Sequence, residues 1–292
     1  MDTFIQIVIS GLVLGSMYSV SAIGLTLLWG ALNVLNMAHG AFLVAGGYAA
    51  YYFGGYLGLP AYVAIPGALA TGVVLGLLVY AGVARPLRKN ANFETTVIIA
   101  TVGVALVIEN LVQKGFGAYP LKQPLSLQGG FNIAQTFVPW NSVLVCVVSI
   151  VLLVLLDFVV RKTRYGRMIR AVAQNYEAAR LMGIRTGAVY RFVFAISGLM
   201  AAISGIMLST ATTLSPTMGY DPMLKAFIVC VIAGLGEVRG ALIAAFALGV
   251  LEATVQFQLG VRFALPLLLL LVVVTLIFRP QGLLRKNEAS RL

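Results

Sequence analysis

Two polar interruptions place side chains able to do chemistry inside otherwise apolar runs. One is LNVLNMAHGAFLV, with Asn33, Asn36, His39 and Gly40, where His39 is the single histidine. The other is GLGEVRGALIA, with Gly234, Gly236, Glu237 and Arg239. Amide, imidazole and glycine within apolar runs suit helices that break at membrane depth, where irregular backbone is tolerated only if it lines a cavity or is buried in protein. Such Gly-interrupted segments in corresponding places of two halves point to a transporter's route. The continuations match loosely, His39-Gly40-Ala41-Phe42-Leu43 against Arg239-Gly240-Ala241-Leu242-Ile243. Asn33, Asn36, His39, Gly40, Gly234 and Gly236 are therefore the candidates for a translocation pathway. For His39 itself two readings stay open: a polar residue hydrogen-bonded within a helix break, or a substrate ligand or proton carrier.

Two carboxylates, Glu109 and Glu252, also fall inside apolar runs, each near the end of an expected helix. An intramembrane carboxylate is by default a proton relay or a ligand partner. The blander reading, interfacial placement with a local partner such as Arg262 for Glu252, is preferred here. Enzyme chemistry is poorly supplied. The only lysine followed by Ser or Thr is Lys162, preceded by Arg161 where a phosphate loop needs glycine. One histidine and two separated cysteines, Cys146 and Cys230, make no zinc set. The cysteines read as small buried hydrophobes, and no serine has the G-x-S-x-G setting of a nucleophile. No cofactor is implied.

The elements that must position these residues follow from composition. The chain is 60% apolar and 10% charged, with a mean hydropathy of +0.98, whereas soluble domains carry about 25% charge. An all-α, polytopic membrane bundle of eight or nine helices, some broken, is expected, in one domain covering 1–292. Apolar runs fall near 4–28, 31–53, 60–84, 93–112, 141–160, 192–214, 223–236, 240–257 and 262–279. The first has no basic residue ahead of it and reads as a retained helix rather than a cleaved signal. Run 223–236 is short for a bilayer and is taken as a crossing or a broken helix. GLVLG, GVVLG and GEVRG (Gly11 to Gly15, Gly72 to Gly76, Gly236 to Gly240) have the small-residue spacing of packing seams.

The net charge of +11 is placed for a membrane surface and not for nucleic acid. Arg85, Arg88 and Lys89, eight basic residues from Arg161 to Arg191, Arg239, and the tail Arg279, Arg285, Lys286 and Arg291 make sixteen of the 20. All fall in segments that a consistent topology puts on one side, and the positive-inside rule makes that side the cytoplasm. The N-terminus is then outside, the C-terminus inside, and the opposite loops hold only Lys114 and Lys122. Lipid attraction, about 1 kcal/mol per juxtamembrane Lys or Arg, explains part of this pattern.

Within 161–191 lies RAVAQNYEAARLMGIRT, a polar, Ala-rich stretch in a chain of hydrocarbon. Taken as a helix, Gln174 to Gly183 puts Tyr176, Ala179, Arg180 and Gly183 on neighbouring faces, with Gly183 as a stop. Ala178, Ala179 and Gly183 offer a shallow surface that a second protein can approach.

EAARLMG, Glu177 to Gly183, resembles the E-A-A-x-x-x-G motif of ABC importer permeases. The usual I-x-L-P ending is missing, since GIRTGAVYRFVFAISG follows, which sets the chain apart from the best-known importer subclass. GLTLLWGALNVLNMAHGAFLVAGGY, IAGLGEVRGALIAAFALGVLEA and the tail FRPQGLL resemble the permeases of branched-chain amino acid ABC transporters, in order and over nearly the whole chain. The resemblance implies a multi-pass inner-membrane subunit that pairs with a sister permease, two cytoplasmic ATPases and an extracytoplasmic binding protein. It also implies an import cargo of leucine, isoleucine, valine or relatives, although similar permeases carry urea, short amides or aromatic acids. ATP would then be hydrolysed on separate chains, and Glu177, Ala178, Ala179, Arg180 and Gly183 would dock them. The rival reading is a stand-alone, ion-driven secondary transporter or channel working through Glu109, His39 or Glu252.

Overall fold

Each of the nine apolar runs contains helix in the computed structural model, which describes residues 2–88, 92–127, 129–133, 136–279 and 282–283. Lys89, Pro280, Gln281, Leu284, Arg285, Lys286 and Arg291, used above for the charge pattern and the tail motif, lie outside the described residues.

The chain opens with α1 (Asp2–Leu32), breaks over residues 33–38, and resumes as α2 (His39–Tyr51), which widens into a π-helical turn at Tyr52–Tyr56. α3 (Ala61–Val79) starts behind extended Pro60 and runs on through a π turn at Tyr80–Ala84 into the single turn α4 (Arg85–Leu87). α5 (Phe93–Phe116) leads to a two-stranded antiparallel hairpin, β1 (Gly130–Ile133) and β2 (Thr136–Pro139). Then come α6 (Trp140–Lys162), α7 (Arg164–Gln174), α8 (Tyr176–Leu181) and α9 (Thr186–Ala211). The chain closes with α10 (Tyr220–Ala233), α11 (Val238–Gln258), a 3-10 turn at Val261–Phe263 and α12 (Ala264–Phe278).

Among the described residues, seven helices are long and apolar enough to cross a bilayer: α1, α3 with its continuation, α5, α6, α9, α11, and α12 with its leading turn. α2 and α10, with 13 and 14 residues, rise only about 20 Å against a hydrocarbon core of about 30 Å. The run 31–53 is thus not one helix but the end of α1, an irregular turn and α2. Hydropathy does not register the break because Val34, Leu35, Met37 and Ala38 keep the mean high while Asn33 and Asn36 turn the chain.

Close backbone approach builds the centre. Gly11, Gly15 and Gly249 let α1 and α11 pack antiparallel, Gly11 meeting Val250 and Gly15 meeting Phe246, and a β-carbon on Gly249 would overlap the backbone of Gly15. Gly72 and Gly76 do the same for α3 against Gly198 and Phe194 of α9. In lipid there is no hydrophobic drive between helices, so such van der Waals fit carries association. α1, α9 and α11 are mostly buried, while α5, α6 and α12 leave most of their surface outward. The third glycine pair is not a helical seam. Gly236 sits in a turn at φ +91, against the backbone of Gly30.

These antiparallel pairings gather Arg85, Arg88, Arg161, Arg185, Arg191 and Arg239 at one end of the bundle, hereafter the basic end. Lys114 and Lys122 lie at the other. There, residues 117–127 pack over α2 and α9: Leu121 and Leu214 exchange backbone bonds of 2.8 and 2.9 Å, and buried Gln123 donates to Ser209 Oγ at 2.9 Å and Gly47 O at 3.2 Å.

Candidate functional site

The α1–α2 break is built by the two asparagines that flagged it. Asn33 adopts φ +51, a left-handed conformation Asn tolerates better than most residues. Asn36 Oδ1 accepts from Ala38 N at 3.1 Å and its carbonyl accepts from His39 N, while Thr101 of α5 takes the freed Met37 N–H at 3.0 Å. His39, fully buried, then directs Nε2 at the Ser21 carbonyl of α1, 3.0 Å away, fastening the start of α2 to the middle of α1. Asn36 Nδ2 and His39 Nδ1 remain buried without a partner among the described residues.

α2 and α10 begin at the same place. The backbone of Gly40 touches that of Gly219, and a β-carbon on either would strike the other's carbonyl oxygen. From there α2 runs away from the basic end and α10 runs toward it. Two short helices therefore meet at their N-termini in the interior, the polarity that half-helices in transporters present to a solute's anionic group.

Beside this junction is a polar cluster that spacing alone did not reveal. Lys225 of α10 donates to Glu252 Oε1 of α11 at 3.0 Å, to Asp221 Oδ2 at 3.0 Å and to the Tyr18 hydroxyl of α1 at 3.1 Å. Tyr18 in turn donates to Glu252 Oε2, and Gln256 Nε2 to Oε1 at 2.9 Å. Glu252 is 2% exposed, so neither the interfacial placement nor the Arg262 partner holds: the carboxylate is interior and Lys225 answers it. The signal was Lys225 itself, a cation inside the run 223–236. The other carboxylate, Glu109 of α5, accepts from the Tyr220 hydroxyl at the start of α10. Tyr18 is 14 residues from Leu32 at the basic end of α1, and Glu252 is 14 residues from Val238 in α11. Both therefore stand roughly 21 Å above the basic end, deep in a bilayer. Asp221, with a side chain 63% exposed at similar depth, has no business facing lipid and must face a water-filled route or another protein.

Gly234 and Gly236 lie elsewhere. Gly234, at φ +100, ends α10, and the turn to Glu237 reverses the chain into α11 beside Gly30. Gly282 of the tail seats on Gly234, and Leu283 N donates to Ile232 O at 2.8 Å, so two of the recognised segments meet here. An open cleft of about 630 Å³ adjoins this turn, with Gly30, Asp157, Arg161, Gly236 and Arg239 on its walls. Arg239 holds Asp157 through both carboxylate oxygens, at 2.7 and 3.0 Å, and Arg161 adds 2.8 Å. The structure thus separates the predicted pathway residues into a deep group (Asn36, His39, Gly40) and a basic-end group (Asn33, Gly234, Gly236). The spatial counterpart of the 33–38 break is the stretch before Gly219, not the GLGEVRG segment.

The 161–191 stretch is two helices rather than one from Gln174. Thr163 caps amphipathic α7, accepting from Gly166 N at 3.1 Å, and extended Asn175 caps α8, accepting from Ala178 N at 2.9 Å. α8 ends where Gly183, at φ +80, turns the chain toward α9. Its faces are distinct. Ala179 is buried against the bundle, whereas Glu177, Ala178, Arg180 and Gly183 are exposed, with Leu181 at 85% and Met182 at 83%. A fully solvated apolar pair on a capped, rigid turn suits a protein partner.

The family described as "Branched-chain amino acid transport system / permease component" matches residues 7–278. The chain belongs to that family. It is the permease subunit of an ABC importer and not an enzyme. The permease is similar to the high-affinity branched-chain amino acid transport system permease protein LivH of Escherichia coli K12, 27% identical over 99% of this chain and 98% of that protein. BraD of Pseudomonas aeruginosa, described in the same terms, is 25% identical over 99% and 98%. The xylose transport system permease protein XylH of E. coli K12 is 41% identical, but over only 32% of this permease and 26% of its own length. Membership brings ATPase and other ABC components as companions.

Proposed function

We propose that this permease forms, with a sister permease, the route by which leucine, isoleucine, valine or related small solutes are imported, at the expense of ATP hydrolysed by two cytoplasmic ATPases and after delivery by an extracytoplasmic binding protein. The near end-to-end likeness to LivH and BraD carries this reading. The likeness to XylH covers a third of the chain and bears on scaffold rather than cargo. The setting is the inner membrane, with the basic end in the cytoplasm, the N-terminus outside and the C-terminus inside. α2 and α10, each joined to irregular chain, complete two further crossings, which raises seven long spans to nine. All of 1–292 is one permease domain with 161–191 as its coupling segment.

In this scheme Asn36, His39 and Gly40 flank the deep part of the route, and Asn33, Gly234 and Gly236 its cytoplasmic mouth. Glu177, Ala178, Arg180 and Gly183 touch the ATPase, with Leu181 and Met182 as apolar anchors. Ala179 positions α8 from beneath. The test is uptake of labelled leucine, isoleucine and valine into proteoliposomes holding the permease with its co-purified partners. Uptake that needs ATP and binding protein is expected. Uptake by the permease alone on a proton or sodium gradient would overturn the assignment, and competition by urea, amides or aromatic acids but not by leucine would overturn the cargo.

A further inference from the structure

A second cleft opens at the basic end, about 550 Å³ in volume, between the π turn that follows α3 and the start of α9. Arg85, Arg88, Arg185 and Arg191 line it together with Tyr80, and no carboxylate among the described residues does. Among the described residues none of the four guanidiniums forms an ion pair, in contrast to Arg161 and Arg239, which share Asp157. Four like charges around one hollow raise a positive potential there that favours a bound anion. Planar guanidiniums grip phosphate oxygens in pairs, which four of them can do for two phosphates at once. Along α3 from the cleft, toward the bilayer centre, Val74, Leu77 and Leu78 are exposed, an apolar strip that no described residue covers.

We infer that this cleft binds the headgroup of an anionic phospholipid, best a two-phosphate lipid of the cardiolipin type, with its acyl chains along the Val74–Leu78 face of α3. Charge sign, headgroup-level position and the adjoining apolar strip coincide for a lipid, and basic pockets between membrane helices are the usual seats of such headgroups. An acidic protein surface would satisfy the arginines but not the strip, and free phosphate would leave it bare. The cleft is also tied to the coupling segment. The Arg88 guanidinium lies 5.0 Å from the ring centre of Tyr176, the first residue of α8, and 5.5 Å from that of Tyr190 in α9. The inference requires neither the proposed cargo nor the ATPase contact, so it stands or falls separately from them.

The experiment is native mass spectrometry of the full-length permease, stripped of lipid in detergent and titrated with cardiolipin, phosphatidylglycerol or phosphatidylcholine, with inorganic phosphate as a separate competitor. Wild type should retain one cardiolipin, and Arg85→Gln/Arg191→Gln should weaken it roughly 10- to 30-fold. Both side chains are exposed, so folding should be undisturbed; if the double variant fails to express, Arg185→Gln gives the same reading at smaller amplitude. Arg164→Gln/Arg167→Gln, an equal loss of charge on exposed α7, should change little. Equal weakening in both double variants would reduce the effect to bulk charge and overturn the site. So would unchanged retention in the cleft variant, an absence of retention by wild type, or displacement of the lipid by millimolar inorganic phosphate. Loss of ATPase recovery from the cleft variant with lipid retention intact would reassign the cleft to a protein partner.

Discussion

Lys225 and Glu252 are a buried pair whose value lies in being complete. Each charge taken out of water is costly, and breaking such a pair by removing one partner typically costs about 3–5 kcal/mol, because the survivor is left uncompensated. Lys225→Met is therefore expected to lower thermal stability in detergent sharply, whereas Lys225→Met combined with Glu252→Gln should recover most of the loss. A double variant no better than the single one would mean that packing and not charge is at stake. His39 works differently. Its Nε2 bond to the Ser21 carbonyl fastens the break, and His39→Leu removes that bond while keeping much of the volume. A loss of about 1–3 kcal/mol is expected, with transport falling further than assembly. Normal uptake by His39→Leu at normal protein levels would remove His39 from the route. The sequence made His39 conspicuous because it is alone. It hid the Lys225 cluster because Lys225 and Tyr18 are 207 positions apart, and no local spacing encodes that meeting.

At the level of elements, hydropathy located the apolar helices but not the polar α7, and it did not register the break between α1 and α2. α9 starts at Thr186 rather than 192, because Thr186, Val189 and Tyr190 bury one face that a window averages with exposed Arg185 and Arg191. α8 is shorter than the Gln174–Gly183 helix that the sequence suggests, beginning after Asn175, and it turns Ala179 inward and Leu181 and Met182 outward. The sequence showed small residues there, but which of them point outward depends on the cap at Asn175. Leu181→Asp should consequently leave insertion and melting unchanged while ATPase co-elution and substrate-stimulated hydrolysis fall. Gly183→Trp should do the same with added backbone strain, costing about 1–2 kcal/mol at this left-handed position. Ala179→Trp should instead destabilise the permease before any partner is present. Full ATPase recovery and stimulation with Leu181→Asp and Gly183→Trp would return α8 to an ordinary solvated loop. In the α1–α11 seam, Gly249→Leu drives a side chain into the Gly15 backbone and should abolish monodisperse protein on size-exclusion chromatography.

For the whole molecule, charge and hydropathy assign each segment a side, because both act over whole loops rather than single contacts, and thiol labelling tests that assignment. With Cys146 and Cys230 replaced by alanine, a cysteine at Tyr119, 84% exposed, should react with an impermeant thiol reagent on intact cells, and one at Met182 should not. Labelling at Met182 from outside would invert the orientation and detach the ATPase reading with it.

The meeting of Gly40 and Gly219 has a mechanical consequence. Two backbones in van der Waals contact leave no slack between them, and one helix leads from that point to each side of the membrane. Displacing the far end of α10 at the Gly234 turn must push against α2, so the pair acts as a lever with its fulcrum at two hydrogen atoms. Motion at the basic end of α10 would thus be passed to α2 without any through-going helix having to slide. A methyl group at either glycine would meet the other's carbonyl oxygen and force the two helix starts apart at that fulcrum.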